Sequence, residues 1–349
     1  MISLLGIISG LVIGILFGFA LQRGRFCMNS AFRDIILMKE YTLLKAVVLA
    51  IIVQIIGFHL IASLGIVELS PKTLFWGANI IGGFIFGIGM TLAGGCASGT
   101  TYRVGEGMVG SLVALFGFMT ASVITDEGVF KDVKSYLQST TKIAITDPGP
   151  LVAPANTSPT LANVFGIDPW IVAIILAIIG IAVLAWKRGS QEKVEGNLYE
   201  KIFKHGWTWW LTGIAIGIIG IIAFPASAAT GRNYPLGITG GWKTFLSTLL
   251  KGDLNILSWE TFLVIGVVIG AAIAAVIAGE FKLRAPAPKI LIQQFIGGLL
   301  LGIGAIIAAG CNIGHILSGM PQLALSSILA GFFIIIGAWI TAYIMFMRE

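Results

Sequence analysis

The chain has 349 residues, of which 57% are hydrophobic and only 11% charged, with 46 glycines and a formal net charge of +6. Soluble domains carry about 25% charged residues and about 7% glycine, so this composition excludes an ordinary soluble domain and calls for a surface that faces lipid. It also excludes a nucleic-acid module, because no basic face studded with aromatics is present to hold phosphates; the excess of Lys and Arg reads instead as a topology signal.

A hydrocarbon core about 30 Å thick needs around 20 apolar residues per helix. In chain order the apolar runs predict nine spans, over 2–22, 43–66, 76–93, 107–125, 168–186, 207–224, 260–279, 290–308 and 322–346. No basic residue precedes the first run and no A-x-A site follows it, so a span is expected there rather than a secretory signal. The fold class is therefore an all-α polytopic membrane protein.

Four intervening segments are rich in Gly and small residues: QRGRFCMNSAFRD from Gln22, LAGGCASGTTYRVGEG from Leu92, PASAATGRNYPLGITGG from Pro225 and AAGCNIGHILSGMPQ from Ala308. Irregular backbone at membrane depth is tolerated only where protein or a water-lined cavity surrounds it. These segments are expected to be re-entrant or broken helices, ordinary surface turns being the plainer alternative. Alternate connections carry 15 and 7 basic residues. The positive-inside rule then puts the N-terminus outside, the C-terminus in the cytoplasm and loop 126–167 outside.

An internal repeat supports this layout. GGFIFGIGMTLAGGCASG at 82–99 aligns without gaps with GGLLLGIGAIIAAGCNIG at 297–314, with nine of eighteen positions identical and Cys96 matched to Cys311. A weaker echo pairs RGR at 23–25 with TGR at 230–232. Spans one to four then correspond to spans six to nine, and the offset of five inverts one half relative to the other. The expected organisation is one membrane domain over 1–349. It comprises a first repeat at 1–125, an outer loop, connector helix and cytoplasmic loop at 126–206, and a second repeat at 207–349. Inverted repeats that meet at Gly-interrupted helices are a transporter design, although small residues also serve plain helix packing.

The interrupted helices suggest an anion site. Gly94, Gly95, Gly99 and Gly310 let the backbone turn and a ligand approach. Following half-helices offer unpaired N–H groups and a partial positive charge. Thr100, Thr101 and Tyr102 add hydroxyls; Arg25, Arg103 and Arg232 add charge, with Glu106 at a membrane edge. The only cysteines, Cys27, Cys96 and Cys311, each fall in one of these segments. A buried Cys is ordinarily a small hydrophobe; three in three broken segments fit a soft, sulfur-bearing anion. They are odd in number and form no C-x-x-C pair, which speaks against a disulfide framework or a Cys-only metal site. No metal or cofactor is expected. His59 and Gln54 read as satisfied core groups, and His315 as a pore candidate or another core residue. The run at 191–205 reads as a solvated loop.

At QRGRFCMNSAFRD, LAGGCASGTTYRVGEG, ATGRNYPLGIT and AAGCNIG the chain resembles the YeeE/YedE family of bacterial thiosulfate-uptake proteins, over essentially its whole length and in motif order. The resemblance implies an hourglass-shaped inner-membrane protein of inverted repeats with loops dipping to its centre. It also implies thiosulfate uptake along a path lined by Cys27, Cys96 and Cys311, and a cytoplasmic TusA-like sulfur-carrier partner, YeeD. Some members are associated with selenium, so another sulfur or selenium anion remains an alternative, as does a channel. A membrane thiol-disulfide enzyme is disfavoured because the cysteines are isolated in sequence.

Overall fold

The computed structural model describes residues 3–186, 197 and 199–348. The chain forms α1 (Leu4–Arg23), α2 (Met28–Leu37), α3 (Thr42–Ser63), β1 (Leu74–Phe75), α4 (Trp76–Leu92), α5 (Ala97–Gly105), α6 (Val109–Glu127), α7 (Lys131–Thr140), β2 (Lys142–Ile143), α8 (Leu161–Phe165) and α9 (Pro169–Trp186). It continues through α10 (Trp209–Ala228), α11 (Thr239–Lys251), α12 (Trp259–Ile277), α13 (Pro288–Ile307), a π-helical turn at Ile313–Gly319 and α14 (Leu325–Phe346). β1 and β2 pair antiparallel in a two-residue ribbon. Lys187, Arg188 and Lys193, which contribute to the basic asymmetry, lie outside the described residues.

Among the described residues, eight helical segments are long and apolar enough to cross a membrane. The remaining expected span, the fifth, corresponds to α9, apolar but shorter. Eighteen residues at 1.5 Å each reach about 27 Å. Trp170 donates to Ser63 Oγ at the end of α3 (2.8 Å), while Gly180 packs on Ile52 and Val48. α9 thus runs antiparallel to α3 and retraces most of its length.

Four long helices end in a left-handed residue and give way to a short helix. The turn residues are Arg25 (φ 45°), Gly94 (φ 69°), Gly231 (φ 84°) and Ala309 (φ 62°). At three of these turns a bond closes back over the helix end: Phe26 N–H to Leu21 O, Gly95 N–H to Met90 O and Gly310 N–H to Ala305 O. Such closure satisfies carbonyls that the helix leaves unpaired. In an apolar setting each unsatisfied backbone group costs several kcal/mol, so the turns are what make interruption tolerable.

Packing follows a crosswise rule. α1 lies on α12 as α3 lies on α10, and α4 on α14 as α6 on α13; α4 and α13 also pack on each other. Gly82 is pressed against Ala308, and its sequence counterpart Gly297 against Ala93, the counterpart of Ala308. Likewise a Cβ on Gly89 would lie 2.6 Å from Leu301 N, and one on Gly304 2.5 Å from Phe86 N. Residue numbers rise along α4 as they fall along α13, so these counterparts run antiparallel about a two-fold axis perpendicular to them. That is the geometry of an inverted repeat. It also explains the helix glycines of the repeated motif: Gly82, Gly89, Gly297 and Gly304 each lie where two backbones touch and no side chain fits.

Candidate functional site

Two vestibules open at opposite ends of α12 and α13. Vestibule one, about 390 Å³, is lined by Glu260 near the start of α12, by Ala305, Ala309, Gly310 and Cys311 at the end of α13, and by Lys72, Asp126, Lys134, Arg232, Tyr234, Thr239 and Lys243. Vestibule two, also about 390 Å³, is lined by Glu280 beyond α12, Arg284 before α13, and Arg25, Ser30, Asp34, Tyr102, Arg103 and Glu106.

The thiols lie between them. Cys311 lines vestibule one; Cys27 and Cys96 line neither of the two vestibules, with Sγ atoms 3.8 Å apart and at most 1% exposed. The pair was expected to be isolated, and 69 residues separate it in sequence. The re-entrant turns bring Cys27 to the start of α2 and Cys96 to the start of α5, where its Sγ accepts from Gly99 N–H (3.3 Å). Gly99 is required here, because a Cβ would come within 2.7 Å of Cys27 Sγ and 3.3 Å of Cys96 Sγ.

Asn312 joins the two sides. Its Oδ1 accepts from Ala97 N–H (3.3 Å), beside Cys96, and its Nδ2 donates to Met28 Sδ (3.2 Å), beside Cys27. Fully buried, it stands between Cys311 and the Cys27–Cys96 pair. Sequence reasoning passed over it; its only signal was adjacency to Cys311.

The predicted polar residues divide by vestibule. Arg103 Nη1 donates to Gly94 O (2.5 Å) and the guanidinium lies 5.8 Å from the Tyr102 ring. Arg25 is exposed and reaches Glu280 at 3.4 Å. Gln22 Nε2 donates to both Glu106 (3.1 Å) and Glu280 (2.8 Å), and buried Arg23 pairs with Glu280 at 2.5 Å. Burial raises the Glu106 carboxyl above the ordinary carboxylate range. In vestibule one Arg232 pairs with Glu260 (3.3 Å) and donates to Ser227 Oγ (3.0 Å) and Pro235 O (2.8 Å). Thr100 and Thr101 spend their hydroxyls on carbonyls of Cys96 and Ala97.

His315 lines neither vestibule. It is buried behind the Cys311 turn, bonded through Nδ1 to Ser327 Oγ (3.1 Å) and through Nε2 to Ala308 O (3.0 Å). That is a core role. His59 is likewise buried, with Nδ1 on Ile55 O (2.8 Å), but its Nε2 and both polar atoms of Gln54 have no partner among the described residues, so neither is fully satisfied as expected.

Two mouths at opposite ends of an inverted helical pair, with buried thiols between, define a membrane transport protein. Residues 23–340 match the family described as Sulphur transport, and the chain belongs to that family. It is 42% identical to the thiosulfate transporter TsuA of Spirochaeta thermophila over 343 residues, which cover 97% of this chain and 99% of that one. It is 34% identical to the thiosulfate transporter TsuA of Escherichia coli over 349 residues, 98% and 95% of the two chains. Proximity of Cys27 and Cys96 removes the ground on which a thiol-disulfide enzyme was discounted; membership of a transport family takes its place.

Proposed function

We propose that the protein takes up thiosulfate across the bacterial inner membrane, with vestibule one outside and vestibule two in the cytoplasm. The observation that carries this reading is the series of three buried thiols between two cation-lined mouths. A divalent oxyanion is drawn to Lys72, Arg232 and Lys243, meets Cys311, passes Asn312 to the Cys27–Cys96 pair and leaves beside Arg103 and Arg25. Its terminal sulfur is handed along by S–H···S contacts, without a covalent bond. Residues 1–125 and 207–349 act as the two repeats, and 126–206 connects them. A TusA-like cytoplasmic sulfur carrier such as YeeD would receive the product at vestibule two.

A net hydrogen bond contributes about 0.5–1.5 kcal/mol, and more when one partner is charged. Loss of each thiol is therefore expected to lower uptake about tenfold or more. The test is growth of a cysteine-auxotrophic bacterium on thiosulfate, and uptake of labelled thiosulfate, with Cys27→Ala, Cys96→Ala and Cys311→Ala. Wild-type uptake by a correctly inserted triple variant would end the relay. Full-rate Cys→Ser variants would reduce it to hydroxyl-tolerant anion binding, and an adduct accumulating on any thiol would make it covalent.

A further inference from the structure

The two thiols of the first repeat occupy the same place in their turns. Cys27 follows the left-handed residue Arg25 by two positions, and Cys96 follows Gly94 by two. Each then stands at the N-cap of the short helix beyond its turn, α2 for Cys27 and α5 for Cys96. Two breaks far apart in the chain therefore aim their sulfurs at one point, and the Sγ atoms meet at 3.8 Å.

Neighbouring contacts hold the pair in register. Asn312 Nδ2 donates to the thioether of Met28, the residue after Cys27, and its Oδ1 accepts from the N–H of Ala97, the residue after Cys96. One buried amide thus ties both turns together beside both sulfurs. Cys96 Sγ also accepts from Gly99 N–H (3.3 Å) and lies 3.4 Å from Ser98 Oγ. Gly99 keeps clear the space that the two sulfurs share, where a Cβ would crowd both. All three cysteines are free. A disulfide holds its sulfurs about 2.0 Å apart, so the distance left to close is of the order that rotation about the Cα–Cβ bonds covers.

No second pair exists. The residues that follow the equivalent break of the second repeat are Asn233 and Tyr234, which leaves Cys311 as its one thiol. Tyr234 donates its hydroxyl to the carbonyl of Gly314 (2.5 Å), the counterpart of Gly99. Where the first repeat sets thiol against thiol, the second sets a phenol against a peptide group. For a relay of S–H···S contacts, sulfurs that already touch add no length to the route. For a bond between them, touching is the requirement.

We propose that Cys27 and Cys96 form a redox switch, in which a hydroperoxide joins them in a disulfide that staples the α1–α2 turn to the α4–α5 turn, and a dithiol reductant releases it. With hydrogen peroxide, one sulfur attacks an oxygen and breaks the O–O bond, which leaves a sulfenic acid and releases water. The other thiol attacks that sulfur, forms the S–S bond and releases a second water. The two sulfurs together give up two electrons, the two peroxide oxygens accept them, and both thiol protons leave in the waters. Thiol–disulfide exchange with the reductant restores both thiols and leaves the disulfide on the reductant. The staple removes both S–H donors and fixes the two turns, so the path closes. Closure rests on the reading of the protein as a thiosulfate transporter; the bond does not. Access is from vestibule two, whose wall includes Ser30, three residues beyond Cys27, and Tyr102 and Arg103 of the helix that Cys96 begins. Hydrogen peroxide is small and uncharged, and passes where a sulfur oxyanion passes.

The experiment uses the full chain in proteoliposomes with labelled thiosulfate, treated with hydrogen peroxide and then with a dithiol. Wild-type uptake should fall at least fivefold and return to within twofold of the untreated rate on reduction. Peptide mapping without reductant should find Cys27 linked to Cys96 in proportion to the loss. Cys311→Ala keeps the pair and should form the same bond, with its residual uptake lost and regained likewise. Cys27→Ala and Cys96→Ala should form no bond, and their residual uptake should stay within twofold under peroxide. Full uptake with the bond present overturns the switch. So does a loss that the dithiol does not reverse, or a bond that joins Cys311 or a second copy instead. If reduced wild type carries no thiosulfate, the transport reading fails, while a reversible Cys27–Cys96 bond still upholds the switch at the two turns. Absence of that bond in the oxidised wild type overturns it in either case.

Discussion

The two vestibules are built on one two-fold backbone plan and differ in charge. Vestibule one sets Lys72, Lys134, Arg232 and Lys243 against Asp126 and Glu260; vestibule two sets Arg25, Arg103 and Arg284 against Asp34, Glu106 and Glu280. Four cations facing two carboxylates concentrate an anion, whereas three against three do not. Fixed charge cannot drive uphill transport, but it sets the concentration at which each face fills. In the proposed orientation the capturing mouth is outside and the releasing mouth inside. This also explains the minority side of the positive-inside count: of the seven basic residues assigned to the outer face, four surround the mouth there.

The largest expected effect tests the cysteine-bearing turns themselves. Gly99→Ala places a Cβ 2.7 Å from Cys27 Sγ, so the thiol pair must part, and uptake should fall by an order of magnitude or more. The matched change Gly314→Ala brings its Cβ 3.0 Å from the flexible Lys72 ammonium, which can give way, so the loss should be severalfold smaller. Equal losses in an uptake assay would show that the turns contribute alike and that the 3.8 Å thiol contact has no special part.

A second comparison alters charge at each mouth. Because its carboxyl titrates above the ordinary range, Glu106 is neutralised early as pH falls. Vestibule two then turns net positive and holds its anion longer. Uptake rate in proteoliposomes should decline on acidification of the vestibule-two side, and Glu106→Gln should be slow already at neutral pH and insensitive to that change. At the other mouth, Asp126→Asn releases Lys134 and Lys243 and should lower KM about two- to fivefold, read from initial rates. A rise in KM would mean that Asp126 positions the lysines rather than muting them.

Much of this architecture was legible in the sequence, for a physical reason. Backbone contact between α4 and α13 demands glycine at fixed intervals, so the repeat is written into 82–99 and 297–314. The thiols were visible because each follows a Gly-bearing break in the apolar pattern, at Gly24, at Gly94 and Gly95, and at Gly310. What could not be read were contacts between non-equivalent positions. Lys72 bonds the Ala309 carbonyl from a loop outside the repeated motif, Asn312 bridges three segments, and Cys27 meets Cys96 through two turns far apart in the chain. Among the described residues these contacts follow from tertiary packing, and no local spacing encodes them. His315 went the other way: four residues after a cysteine, it was a pore candidate, but the π-helical turn directs both its nitrogens into the core.

The smallest effect compares the two turn residues directly. Gly94 and Ala309 share a left-handed conformation, φ 69° and 62°, and close the same type of helix end. A side chain in that region costs about 1–2 kcal/mol, and glycine loses about 0.5–1 kcal/mol more than alanine through chain entropy. A Cβ on Gly94 would meet only Gln294 Nε2, at an ordinary 3.5 Å, so packing adds little to either change. Gly94→Ala should therefore destabilise the protein by about 1 kcal/mol or less, and Ala309→Gly should stabilise it by a similar amount. Unfolding midpoints in detergent would read both. Opposite signs mean that the turns are conformationally equivalent and that alanine at 309 is retained at a small cost. A loss of stability in both variants would mean that the Ala309 methyl packs usefully beneath Lys72, and that the two turns, alike in backbone, are held by different forces.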